Sequence, residues 1–170
     1  MARPSTGDFA PYYQKYIDLA KGNSVEEIIN NHNKEVADFY NNLPEEKSHY
    51  AYADDKWTVN DVIQHVIDAE RVFSYRALRI SRKDETPLPG FEENNYAKNA
   101  GAANRSMSSL KEEFAALRTA TDLLLQSFTA EQLGQRGTAS NNTVTVNAIA
   151  FIMFGHLLHH KNILQERYGV

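Results

Sequence analysis

Apolar residues recur at helical spacing in four long stretches of the chain. Ser24 and Glu27, three residues on, form a capping box, and Val25, Ile28, Ile29, His32, Val36, Phe39 and Tyr40 follow behind it. That period predicts a helix over 25–42, stopped by Pro44, because the residue before a proline is pushed out of helical conformation. A second helix starts just after Trp57, where Thr58 can cap with Asp61 at the box position. Val62, Val66, Ala69, Phe73, Ala77 and Ile80 then form one stripe. The third covers 107–127, with Leu110, Phe114, Leu117, Thr121, Leu124 and Leu125 on its inner face, and Thr129 with Gln132 adds a short turn. The fourth spans 145–168 and ends at Gly169.

The connections read differently. Residues 1–23 form an irregular lead-in with a short aromatic helix near Tyr12 to Leu19. Ser81 to Arg105 is a stretch of 25 residues with Pro87, Pro89, Gly90 and Gly101. A connection longer than about 15 residues inside a compact domain usually has a job or some structure of its own. Gly134, Gly137 and Ser140-Asn141-Asn142 mark a loop, and no run of residues reads convincingly as a strand. The expectation is an all-α four-helix bundle, one domain over 1–170.

Composition narrows the chemistry. Hydrophobic residues at 42% and charged residues at 24% fit an ordinary globular protein. The net charge of −4 gives no reason to expect a nucleic-acid partner or an anionic membrane. There is no cysteine, which excludes a disulfide framework, a protein thiolate nucleophile and a thiolate-bound metal. Met1 to Lys15 contains Asp8, two prolines and no apolar segment of the signal-peptide kind. The longest apolar stretch, Ala148 to Leu158, is 11 residues interrupted by Gly155 and His156. A membrane span needs about 20, so the expected location is the cytoplasm.

Three histidines stand out. His156 and His160, four residues apart, lie one above the other on the face that carries Ile149, Met153, Ile163 and Arg167. His65 sits among Val62, Val66, Ala69 and Val72, about 60° from the centre of its helix's apolar stripe. Each alone is more often a hydrogen-bonded core residue than a ligand. Together, on neighbouring helices, they can place three imidazole nitrogens on one divalent cation and leave a position open for water or substrate, the pattern of a catalytic site.

Several segments add a resemblance. Lys56-Trp57-Thr58-Val59-Asn60-Asp61-Val62-Ile63-Gln64-His65-Val66-Ile67-Asp68 is similar to the segment of DinB-like proteins that supplies the first metal histidine. Asp68 to Ile80, Pro87-Leu88-Pro89-Gly90-Phe91, Arg136-Gly137-Thr138-Ala139-Ser140, Gly155-His156-Leu157-Leu158-His159-His160 and Glu166-Arg167-Tyr168 fit one subgroup of that family. The resemblance covers nearly the whole chain. It implies an up-down-down-up bundle, a metal triad at His65, His156 and His160, and a homodimer. It also implies one of two activities, transfer of a small thiol onto an electrophile or metal-dependent hydrolysis. Zinc or nickel is the expected ion, with iron, manganese or cobalt as alternatives. The rival is a non-catalytic metal-containing dimer that binds a ligand or a stress-response partner.

The supporting residues each carry two readings. Asp61 and Asp68, at i−4 and i+3 from His65, either orient its ring or serve as a helix-start residue and a solvated carboxylate. His159 is turned 100° from His160, which suits a pocket rim or an interface. Glu70 suits a structural salt bridge better than a general base. Arg76, Arg79 and Arg82 form a positive strip, with solvation its simpler explanation. Trp57 caps the bundle or lines a pocket mouth. The Pro87–Phe91 loop with Tyr96 either closes over the metal or covers a bundle end. His32 and His49 lack a usable partner spacing.

Overall fold

The computed structural model describes residues 1–170. A 3-10 turn at Pro11–Tyr13 leads into α1 (Gln14–Leu19), and the long helices are α2 (Val25–Asn41), α3 (Val59–Ser81), α5 (Met107–Gln126) and α7 (Val146–Ile163), with a single-turn α6 (Ala130–Leu133) between the last two. Each long helix begins on a side-chain cap. Ser24 Oγ accepts from Glu27 N–H, Thr58 and Asp61 bond reciprocally, and Ser106 and Thr145 cap α5 and α7. α7 runs on into a π-helical turn at Leu164–Tyr168.

Helices α2 and α3 each pack on both α5 and α7, so α2 lies diagonally across from α3. One apolar body gathers Ile28 and Ile29 of α2, Phe73 to Ile80 of α3, Leu125 of α5 and Ile149 to Phe154 of α7. A second gathers Val36 and Tyr40, Val59 to Ile67, Met107 to Phe114, and Leu157 and Leu158. The first halves of α2 and α7 therefore share one end with the second halves of α3 and α5. That is the up-down-down-up arrangement.

Two connections depart from expectation. The stretch expected to be a loop at Gly134–Asn142 contains β1 (Arg136–Ala139), paired antiparallel with β2 (Asn142–Thr145). Ser140 and Asn141 both take positive φ, 49° and 62°, the geometry of a tight two-residue hairpin turn. Gly137 is a close-approach residue, since a Cβ there would lie 2.5 Å from Ile80 Cγ1 of α3. Within the long connection, Glu92 caps α4 (Glu93–Ala100), and Leu88 bonds both Thr138 and Ser140 along β1.

The lead-in is tied down. The Arg3 guanidinium donates to the carbonyls of Ile17, Ala20 and Gly22, closing the end of α1. A Cβ on Gly155 would overlap the Tyr16 carbonyl, so α1 rests directly on the α7 backbone. With α1, α2 and α3 all packed on it, every residue of α7 from Val146 to Leu158 is buried. That accounts for an apolar run without a polar face. No helix is long and apolar enough to cross a membrane.

Candidate metal centre

Capping at Thr58 starts α3 so that His65 falls on its buried face, and capping at Thr145 does the same for His156 on α7. Because α3 and α7 are neighbours, the rings of His65, His156 and His160 meet. Their centroids are 4.9 Å (65 to 156), 4.8 Å (65 to 160) and 4.5 Å (156 to 160) apart. One nitrogen from each ring lies within 4.8 Å of the others, and the Nε2 atoms of His65 and His156 are 3.0 Å apart.

The surroundings are carbon-rich. The Trp57 ring sits 4.8 Å from that of His65, and Tyr16 and Phe73 face His156 at 5.6 and 6.0 Å. Burial, reinforced by His159, pushes the His65 pKa down to about 4. Burial also drives His156 and His160 well below the usual imidazole range, helped by the neighbouring rings. All three are uncharged at neutral pH and offer lone pairs.

This donor set fits a divalent cation. Bonds of about 2.0–2.1 Å place imidazole nitrogens about 3.3 Å apart at tetrahedral angles and about 2.9 Å apart at right angles, which brackets the His65–His156 separation. His160 Nδ1 is buried with no hydrogen-bond partner, so no protein group uses that ring nitrogen.

The triad forms one wall of a cavity of about 270 Å³. The opposite wall comes from the lead-in through Tyr12, Tyr13, Lys15 and Tyr16. Arg76, Phe91, Glu93 and Ser140 line the end away from His65, and half-buried His159 joins the rim. A larger cleft of about 470 Å³ beside Met1 and Ile29 has Glu26 as the sole ionisable side chain on its wall, against four histidines lining the smaller cavity.

The other singled-out residues are dispersed. Asp61 Oδ2 accepts from the Thr58 backbone N–H and hydroxyl, closing the α3 cap. Asp68 accepts from Gln64 Nε2, and neither carboxylate bonds to His65. Glu70 pairs with Arg118 at 2.9 Å inside the bundle. The arginine strip does not exist as such. Arg79 pairs with Asp84, Arg82 lies over Phe128, and Arg76, expected to be solvated, is 4% exposed. Trp57 and Phe91 line the cavity, whereas Tyr96 faces a separate cleft beside Asp68. His32 Nε2 accepts from Lys21 N–H, a structural role. Lys15, Tyr16 and Ser140 were invisible as site residues, because they reach the cavity only through the packing of α1 and the hairpin.

Residues 29–164 match the DinB superfamily. The fold is similar to that of YfiT from Bacillus subtilis, described as a probable metal-dependent hydrolase with an unusual four-helix bundle topology. The TM-score is 0.70 at 18% identity, over 98% of this chain and 93% of that one. It is also similar to a mycothiol-dependent maleylpyruvate isomerase, with a TM-score of 0.64 at 13% identity, over 94% of this chain and 62% of the isomerase. Curated protein sequences give no significant match. With four-fifths of its residues inside the matched segment and the bundle order of that fold, the chain belongs to the DinB superfamily.

Proposed function

We propose that this protein is a metal-dependent enzyme in which His65, His156 and His160 hold one divalent ion facing the cavity. The observation that carries this reading is the convergence of three uncharged imidazoles, two buried and one partly buried, on a cavity wall. A divalent ion there supplies Lewis acidity that lowers the pKa of a bound water or thiol toward neutrality. Zinc or nickel suits an all-imidazole set, with iron, manganese or cobalt following the general divalent order.

The chain's own groups favour thiol transfer to an electrophile. No carboxylate adjoins the triad, and a thiol, with an ordinary pKa of about 8.5, needs far less help to ionise than water. The chain has no cysteine, so the sulfur arrives on a small cosubstrate. A mycothiol-dependent neighbour supports that reading. Trp57, Tyr16 and Phe73 keep bulk water from the triad, and His159, its pKa lowered by burial, is a neutral proton acceptor on the rim. The same His159 supports a second reading, hydrolysis, to which the likeness to YfiT points.

The test is metal analysis of the purified protein and of His65→Ala and His160→Ala. Both variants should lose about one equivalent of bound metal and keep their far-UV helicity. The same samples are assayed with thiol plus electrophile and with ester and amide panels. Unchanged metal content in both variants overturns the triad. Metal-dependent binding without turnover on any panel supports the ligand-binding rival instead.

A further inference from the structure

Arg76 is a buried cation without a counter-ion. It is 4% exposed, lines the cavity with the triad, and has no carboxylate within ion-pair distance, whereas Arg71, Arg79, Arg105, Arg118 and Arg136 all have one. Its Nη2 donates to the Pro89 carbonyl at 2.7 Å and to Ser140 Oγ at 2.9 Å, which uses both hydrogens of that nitrogen. The Tyr13 hydroxyl adjoins the guanidinium as a third neutral partner. A desolvated guanidinium held only by neutral partners, with more donors than those partners use, suits an anion.

The rest of the cavity has the same sign. Lys15 on α1 lies 4.8 and 4.9 Å from the Tyr12 and Tyr16 rings and forms no salt bridge. Glu93 is the one carboxylate on the wall and pairs with neither cation. The cavity therefore carries two cations against one acid in a chain whose net charge is −4. The flanking walls are aromatic, through Tyr13, Phe73 and Phe91.

We propose that Arg76 forms a carboxylate subsite in a cavity that Lys15 makes more positive from the histidine side, so that the substrate is a small anionic molecule with an apolar middle. This deepens the proposed function and rests on the same cavity being the substrate site. Helical rise sets the length. His65, Ala69, Phe73 and Arg76 share one face of α3, and the first and last are eleven residues apart, about 16 Å along the axis. Side chains on a helix lean toward its N-terminus, which brings the guanidinium nearer the triad than its Cα. A molecule with its carboxylate on Arg76 and its reactive group at the imidazoles must span several bonds, with Phe73 beneath the middle.

The test is calorimetric titration with 3-phenylpropanoate and its neutral counterpart 3-phenylpropan-1-ol, before and after dialysis against a chelator. The carboxylate should bind at least about tenfold tighter than the alcohol in both preparations. Arg76→Gln should abolish that preference, the larger loss falling on the carboxylate. Arg76→Lys should retain part of it, and Lys15→Gln should lose about threefold and flatten the salt dependence. Because Arg76 also anchors Pro89 and Ser140, the wild-type protein supplies a second measurement, in which 3-phenylpropanoate must shift the Arg76 Nε–H resonance. Equal affinity for the two probes, or an unmoved resonance, overturns the subsite. A preference seen only with metal bound, and indifferent to Arg76→Gln, also overturns it while leaving the metal centre standing. An Arg76-dependent preference in protein that never binds metal upholds the subsite and removes the metal reading alone.

Discussion

At the scale of single residues, the three imidazoles are controlled by what surrounds them more than by what they touch. Trp57, Tyr16 and Phe73 provide ring carbon, and His65 finds its one protein hydrogen-bond partner in His156. Desolvation penalises the charged ring, so the His65 pKa falls to about 4 from an ordinary value of about 6.5. The unfolded chain then binds the proton more readily than the folded one. His65's contribution to stability is fully present above about pH 6.5 and is lost as pH falls toward 4. A shift of that size corresponds to about 3 kcal/mol. Urea unfolding of chelator-treated protein at pH 7.5 and 5.5 should show a lower midpoint at the acid pH, and His65→Asn should shrink that difference. A midpoint that is unchanged or higher at pH 5.5 would mean the rings are not held neutral. The spacing of His156 and His160 was legible because a helix repeats every 3.6 residues. The cavity's cations were not. Nothing local marks Lys15, and Arg76 looked like the first of three solvated arginines because its two acceptors, Pro89 and Ser140, are 13 and 64 residues away.

At the scale of elements, α7 shows what patterning can and cannot convey. Its run from Ala148 to Leu158 announced a buried helix, and its cap at Thr145 appeared within a residue of the expected start. What the run could not say is which element covers the outer face. The answer is α1, a six-residue helix too short to declare itself strongly, held on α7 where Gly155 removes the side chain. The hairpin was missed for a related reason. Its strands are four residues each, and Gly137, which reads as a breaker, is there to let β1 approach Ile80. Gly155→Ala tests the α1 contact. The added methyl meets backbone at Tyr16, which cannot rotate away, so α1 must shift, at a cost of about 1–3 kcal/mol. For a chain of this size that lowers Tm by several degrees, roughly 2–4 °C per kcal/mol. Since α1 carries Lys15 and Tyr16, the variant should also bind 3-phenylpropanoate more weakly while its helix content is preserved. Wild-type Tm and binding in Gly155→Ala would show that α1 does not form the cavity wall.

At the scale of the whole molecule, the two apolar bodies are separated by a polar layer. Where one ends and the other begins, α2 carries His32 and Asn33, α5 carries Arg118, Thr121 and Asp122, and α7 carries His156. Sequence periodicity identified these helices and their inner faces, but a polar residue on an inner face is legible only once its partner is known. Glu70 was legible as half of a salt bridge. Its partner Arg118, on another helix and 48 residues away, was not. Arg118 donates to Glu70 and pairs with Asp122, which accepts from Asn33, and its guanidinium lies 4.7 Å from the Phe154 ring centre. The network is incompletely satisfied, since Glu70 Oε2 and Arg118 Nε have no partner. Burial pushes the Glu70 carboxyl up and Arg118 opposes that shift, so the pair depends on its mate. Arg118→Met should therefore cost about 3–5 kcal/mol by stranding a buried carboxylate, and adding Glu70→Met should restore more than half of the loss. The single variant also has a pH signature. Without Arg118 the folded-state pKa of Glu70 rises further above its unfolded value, so the variant's deficit relative to wild type should shrink as pH falls from 8 to 5. A deficit that is small at both pH values would mean Glu70 is already protonated in the fold, and that the polar layer is held by neutral hydrogen bonds instead of by charge.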